Sequence, residues 1–385
     1  MADVVVAGAG MAGLAAAAEA RRLGARPLVL EKLGTPGGSM RLSSGVIWRH
    51  RDFARFREEC PDGDERLQRL LFERLDADLD WLESLGAPVA ERETGNPLTA
   101  GARFDPERLT SALVEAAGGI VRDAAAGEVL AGGARPGAAA GSMAGGAAAG
   151  VRLGELLREP PDGVPLILAT GGFAASRELL REHVTPEAEH ALLRTAPGNT
   201  GDGLRIGLAA GASASAGLDQ VYARAMPAPP ARIGQDDLVR LSQLYARHAE
   251  VTNERGERYE TRTWSETDVA RWQLRQPRAR AWFRVPAERL GERVRERTVA
   301  EMVDAAEAAG APVRRGEDDV TVETVAGVTT TLGGLAIDAN ARAARDLFAC
   351  GADAGGIATG GYASGLAAAL VFGRIAARAA LGETP

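Results

Sequence analysis

The chain has little of what several kinds of chemistry require. Lys32 is the single lysine among 45 basic residues, so a Schiff-base mechanism has one candidate, placed directly after an acidic residue. The two cysteines, Cys60 and Cys350, lie too far apart for a disulfide framework or an iron–sulfur site. His50, His183, His190 and His248 show no metal-ligand spacing, and His183 and His190, in a charged stretch, read as surface residues. No apolar run reaches the roughly 20 residues of a membrane helix, and the first strand begins at once. Neither membrane insertion nor a leader segment is therefore expected. A net charge of −7 provides no basic excess for nucleic acid. The expectation left standing is a cytoplasmic protein that handles small molecules.

Glycine is plentiful, with 48 residues, and three of its clusters carry meaning. The first is Gly8-Ala9-Gly10-Met11-Ala12-Gly13, preceded by the apolar run Val4-Val5-Val6-Ala7 and followed by an alanine-rich helix to Leu23. Arg26 to Leu30 then reads as a second strand ending in Glu31, 18 positions after Gly13. Such a βαβ unit with a terminal acid is a dinucleotide-binding fingerprint. Gly8 permits the tight turn, Gly10 lets a pyrophosphate approach the backbone, and Gly13 lets helix and strand pack closely. The helix start offers free N–H groups and a positive dipole end to phosphates, and Glu31 can accept from ribose hydroxyls. The other two clusters are Ala169-Thr170-Gly171-Gly172, after the strand-like Val164–Ala169, and Gly351-Ala352-Asp353. Together the three point to a flavin.

The rest of the chain is organised around these clusters. Arg51 to Leu85 is polar and leucine-periodic, hence helical with solvated charged faces. Phe104 to Ala117 reads as a helix with Asp105 as N-cap and Pro106 at the first helical position. Residues 131–150 are almost entirely Gly and Ala. Gly198-Asn199-Thr200-Gly201-Asp202-Gly203 opens a helix to Ala210, and Gly365 to about Leu381 forms the last one. Residues 216–325 are more charged and hold three of the five tryptophans. They read as an inserted domain between two parts of an α/β domain, 1–215 and 326–385.

In this order of motifs the chain resembles the flavoproteins related to fumarate reductase and 3-ketosteroid dehydrogenase. The resemblance rests on the fingerprint with Glu31, Gly37-Gly38-Ser39, Ala169-Thr170-Gly171-Gly172-Phe173 and Thr200-Gly201-Asp202-Gly203. It continues through Asn253-Glu254-Arg255-Gly256-Glu257-Arg258-Tyr259, Leu332-Gly333-Gly334-Leu335-Ala336-Ile337-Asp338 and Ala369-Leu370-Val371-Phe372-Gly373-Arg374. It implies a Rossmann-like FAD domain of the glutathione-reductase type, interrupted by a smaller α+β capping domain, with substrate held between the two. It places Glu31 on the adenosine ribose, Ser39 and Ser44 near the phosphates or ring, and Asp353 by the ribityl chain. Ser364, Gly365 and Leu366, at the start of the last helix, would face the flavin N1/O2 edge, where a helix N-terminus stabilises the charge of reduced flavin. Further cofactor contacts are implied for Met11, Ala12, Lys32, Gly38, Gly45, Val129, Ala169, Thr170, Gly171 and Asp202.

Departures from the pattern are informative. Where succinate dehydrogenase-like members carry a flavin-linking histidine, this chain has Ser39-Met40-Arg41-Leu42, which implies non-covalent FAD. The histidine that precedes the Gly-Gly element in fumarate reductases is replaced by Thr329-Thr330-Thr331, and the two substrate arginines align near Glu266 and Gly360. Arg262 or Arg271 can take their place only after a shift. A dicarboxylate would leave its charges unpaired in such a site, so the expected substrate is small and uncharged, with a carbonyl that acidifies its neighbouring C–H. Tyr362, just before the last helix, is the first candidate to move a proton; Tyr222, Glu266 and Thr330 follow. The expected reaction is hydride transfer between flavin N5 and a carbon next to the carbonyl, as desaturation or ene reduction. An oxygen-using oxidase or hydroxylase and a non-redox protein with structural FAD are the alternatives. No second dinucleotide fingerprint follows the first, so electrons pass to or from a separate donor or acceptor. Acid denaturation should release all of the flavin; fluorescence that stays with the polypeptide on a denaturing gel would contradict non-covalent binding.

Overall fold

Val4–Ala7 is buried along its whole length, as a strand covered on both faces must be. In the computed structural model, which describes residues 2–120, 163–260 and 266–384, this strand lies near the centre of a five-stranded sheet. It pairs in parallel with Pro27–Leu30 on one side and Leu166–Leu168 on the other. Leu347–Ala349 runs parallel to Leu166–Leu168, and Arg342–Ala344 closes that edge antiparallel. The three glycine clusters thus follow three neighbouring strands and converge at one edge of the sheet. Val129, Arg262 and the stretch 131–150 lie outside the described residues.

The helix Met11–Arg22 is rich in alanine because it is packed from several sides: by the sheet, by the last helix Gly365–Ala380 and by Pro106–Ala117. The approach is closest at Gly373, where a Cβ would stand 2.5 Å from the Ala12 carbonyl oxygen. Asp105 caps Pro106–Ala117, accepting from the Glu107 and Arg108 N–H groups, as the sequence suggests.

A second sheet of six strands is built on Asp319–Thr331. The first part of this strand pairs with Val313–Arg315 and Arg280–Pro286, and Glu250–Thr252 extends the sheet beyond the latter. Its last part lies between Leu192–Leu193, parallel, and Val221–Pro227, antiparallel. The second sheet therefore takes in residues on both sides of 216–325. Helix Val299–Ala308 buries Val299, Met302, Val303 and Ala306 in a core shared with Phe283, Val285 and Val322 of this sheet.

The charged faces of helix Glu65–Ser84 are not all solvated. Asp78 is buried and pairs with Arg374 of the last helix, whose guanidinium also reaches Glu19 at 3.1 Å and covers the Trp81 ring at 4.3 Å. Glu19 is further paired with Arg22 and Arg378. Burial raises the Glu19 pKa, but Arg22 and Arg374 overcome it and hold the carboxyl at about 2. At Asp78 burial outweighs the attraction of Arg374 and lifts the pKa to about 6. A folded pKa above the unfolded value means that Asp78 favours the fold most at low pH and loses that contribution as pH rises through about 6. Asp78→Asn should therefore gain on wild type as pH rises from about 4 to 7, by up to about 3 kcal/mol. Thermal midpoints of both proteins across that range check this, and a gap that moves the other way would show that the Arg374 pair dominates.

Candidate active site

The turn after Val4–Ala7 can exist only with glycine. Gly8 has a φ of +107°, and a Cβ on it would lie 2.2 Å from the Ala169 carbonyl oxygen. A Cβ on Gly13 would lie 1.9 Å from the Gly8 oxygen. Gly10 differs, since a Cβ there meets nothing within 4 Å and faces open space. Gly10 is the N-cap of Met11–Arg22, and no side chain caps this helix and no acidic residue sits in its first turn. The N–H groups at its start are left for an external anion.

Several of the remaining cofactor candidates are tied to that turn or to one another. Glu31 accepts the Ala9 N–H at 2.8 Å with one oxygen and the Leu33 N–H at 2.8 Å with the other, and each oxygen retains a lone pair. The Gly37 N–H donates to the Ala9 carbonyl at 2.7 Å, which brings Gly38 and Ser39 beside the first cluster. Ser39 accepts from the Ala196 N–H and the Asn199 amide and lies 3.2 Å from the Thr195 hydroxyl. Ser44 and Gly45 lead into Val46–His50, and Gly45 has a φ of +71° with the Phe104 carbonyl where its Cβ would be. Lys32 holds Asp202 at 2.6 Å and Thr200 at 2.7 Å. Asp353 is buried and accepts from the Thr170 and Gly172 N–H groups and the Thr170 hydroxyl, so its carboxylate holds the second glycine cluster to the third. Ser364 caps the last helix through the Ala367 N–H, with Gly365 exposed.

The tyrosines meet. The rings of Tyr222 and Tyr362 are stacked with centroids 3.8 Å apart and an interplanar angle of 12°. Arg271 donates from Nε to the Val221 carbonyl at 2.8 Å and from Nη2 to the Gly361 carbonyl, the residues just before the two tyrosines. It thereby fastens the second sheet to the approach of the last helix. Trp48 meets Tyr362 edge-on at 5.9 Å, and behind it His50, kept below its ordinary pKa by burial, packs on Trp48 and Phe56. Thr330 stands opposite Tyr222 in the sheet, just past a break in register after Val328. Glu266 is buried, accepts the Ala246 N–H, and has its pKa raised by burial against the pull of Arg224 and Arg247.

Three arginines that motif alignment does not reveal share this place. Arg224, two residues after Tyr222 and so on the same face of its strand, donates from Nε to the Tyr222 hydroxyl at 2.7 Å. Arg194 donates to the Leu238 carbonyl and to the Thr329 hydroxyl, the residue at the register break. Arg295 comes from the tight turn between Arg293–Val294 and Arg297–Thr298, with a φ of +59° where glycine is favoured. Such a backbone costs an arginine roughly 1 kcal/mol. Burial pushes the Tyr222 pKa up, but Arg224, Arg194 and Arg295 pull it down, and the net direction is down. Burial and the neighbouring Tyr222 push the Tyr362 pKa up. The signal in the sequence was Tyr222-x-Arg224, a strand-face spacing; Arg194 and Arg295 carry none. The uncharged substrate expected above rested on missing guanidiniums, and the fold supplies three from other positions.

The chain matches the FAD binding domain family over residues 3–135 and 164–366. No curated protein sequence matches it. Among solved structures it is similar to a flavocytochrome c3 fumarate reductase in an open conformation, at 22% identity and a TM-score of 0.67 over 99% of this chain and 78% of that one. It is similar to the 3-ketosteroid-Δ4-(5α)-dehydrogenase of Rhodococcus jostii RHA1, at 20% identity and a TM-score of 0.61 over 99% and 96%. The 3-ketosteroid Δ1-dehydrogenase of Sterolibacterium denitrificans shares 14% identity with a TM-score of 0.67 over 99% of each chain. Among the described residues no helix is long and apolar enough to cross a membrane.

The open space at Gly10 makes a clean test of the cofactor cradle. Gly10→Ala should leave the flavin-free protein with an unchanged thermal midpoint and remove FAD, because the added Cβ meets no protein atom within 4 Å but stands where a pyrophosphate would approach. A variant that purifies with wild-type flavin content would show that this turn does not hold the cofactor.

Proposed function

The chain belongs to the FAD binding domain family, and from that premise we propose that it is an FAD-dependent oxidoreductase acting on CH–CH groups. In this reading residues 1–215 and 326–385 form a Rossmann-like FAD domain, and 216–325 form an α+β cap over it. The backbone from Gly8 to Gly13 holds the pyrophosphate, and Glu31 the ribose. Ser39, Ser44 and the 169–172 turn line the path towards the ring, and Gly365 and Leu366 face its N1/O2 edge. Bound there, FAD supplies a hydride acceptor or donor at N5.

The observation that carries the proposal is the stacked pair of phenols, pinned by Arg271 beside the start of the last helix. Two titratable groups whose pKa values are pushed apart divide the roles of base and acid. Tyr222, acidified by Arg224, takes the proton from the carbon next to the substrate carbonyl in the direction of desaturation. Tyr362, held protonated, donates to the carbonyl oxygen and stabilises the enolate that forms. In ene reduction Tyr222 returns the proton. Thr330, opposite Tyr222, and Glu266, which shares Arg224 and Arg295 with it, line the same place. Electrons reach or leave the site through a separate carrier or a second substrate.

Tyr222→Phe and Tyr362→Phe should each lower turnover by about 100-fold or more, the usual contribution of a general acid or base. Near-ultraviolet titration of the wild type should show one tyrosinate that forms below the ordinary range, lost in Tyr222→Phe and kept in Tyr362→Phe. Near-normal turnover in both variants, with lowered thermal midpoints, would assign the pair to packing and refute this reading.

A further inference from the structure

Arg194, Arg224 and Arg295 reach one place from three separate elements, Arg194 just after the strand Leu192–Leu193, Arg224 on Val221–Pro227, and Arg295 at a turn. Each acts electrostatically on both Tyr222 and Tyr362. None of the three makes an ion pair among the described residues. Arg224 uses Nε on the Tyr222 hydroxyl, with its guanidinium 4.9 Å from that ring, and Arg194 uses Nε and Nη1, so Nη1 and Nη2 of the first and Nη2 of the second have no hydrogen-bond partner among the described residues. Glu266, a buried carboxyl, acts on Arg224 and Arg295, and burial raises its pKa against the pull of Arg224. Like charges so placed repel one another, and an anion that joins them relieves the repulsion.

Arg295 adds an independent mark. A φ of +59° at the first central position of a two-residue hairpin is where glycine is favoured, and an arginine there runs against backbone preference. The Arg295 side chain is exposed, and its charge acts on Arg224, Tyr222 and Glu266. The remaining arginine at the site, Arg271, is occupied by the carbonyls of Val221 and Gly361 and forms no second cationic pole. Next to the single pole lie flat surfaces, the stacked phenols and the edge of Trp48.

We propose that Arg194, Arg224 and Arg295 form a single-pole anion subsite, and that the substrate is a flat, conjugated monocarboxylic acid whose carboxylate is seated there. This rests on the oxidoreductase reading above and replaces the uncharged substrate expected from motif alignment. One planar carboxylate accepts hydrogen bonds from two guanidinium forks at once, which an amide or ketone of the same shape cannot do.

The test is a binding titration of the FAD-loaded oxidised protein with crotonate, benzoate and cinnamate, and with the three corresponding primary amides. It is followed by heat and by perturbation of the flavin spectrum, without turnover. At least one acid should bind saturably, tenfold or more tighter than its amide. Arg224→Gln and Arg295→Gln should each weaken that acid tenfold or more, with Arg224→Lys in between and flavin content unchanged in all. Fumarate should bind no more tightly than crotonate. Amides that match the acids, no binding by any acid, retained affinity in both glutamine variants, or fumarate tighter by tenfold would each overturn the proposal. Arg295→Gln alters an exposed hairpin residue, so a folding failure at Arg224 leaves the question decidable. An acid that binds as expected but exchanges no hydride would keep the subsite and sink the oxidoreductase reading instead.

Discussion

The close backbone approach at Gly8 is the constraint on which the rest depends. The ends of Val4–Ala7 and Leu166–Leu168 can meet only because Gly8 has no Cβ to strike the Ala169 carbonyl, and Met11–Arg22 can leave the turn at its observed angle only because Gly13 has none to strike Gly8. Once those contacts form, the second glycine cluster lies against the first. Asp353 then ties the third to the second through the Thr170 and Gly172 N–H groups. Three segments hundreds of residues apart become one edge, and the uncapped N–H groups of the first helix point to open space along it.

The second half of the site depends on a different device. Asp319–Thr331 is long enough to join the core beneath Val299–Ala308 at its start and to lie opposite Tyr222 at its end. Its register break after Val328 separates Thr329, bonded to Arg194, from Thr330, opposite Tyr222. The neighbouring strand repeats the face with Tyr222 and Arg224. Positive charge concentrated in this way favours the ionised form of Tyr222 and, in the proposed reading, a bound carboxylate. Arg271 plays the opposite part, because its donors are spent on backbone carbonyls and it contributes position rather than attraction.

The elements that could be read from the sequence were those with local causes. The fingerprint turn, the alanine helix, the Asp105–Pro106 helix start and the last helix each follow from spacing or capping within a few residues, and each is found where expected to within about two residues. Tyr222 and Tyr362 were both identified as candidates, but their stacking was not, since 140 positions of chain separate them and only the sheet brings them together. The arginines were missed for the same reason. Alignment by motif looks for a charge at a fixed place, whereas here the charge arrives from Arg194, before the supposed insertion, and from Arg295, in a hairpin. The leucine period of 51–85 implies solvated charged faces, but the last helix covers the one that carries Asp78 and supplies Arg374.

The central claim is that one site unites a bound flavin with a cationic, phenol-lined pocket for the substrate. Anaerobic photoreduction of the holoprotein, followed by rapid mixing with a series of conjugated acids and their neutral analogues, tests it most directly. The account predicts that the reduced flavin is reoxidised by at least one conjugated acid, saturably in its concentration, and far more slowly by the matching neutral compound. Reoxidation by oxygen alone, with every acid and every neutral analogue inert, would contradict it.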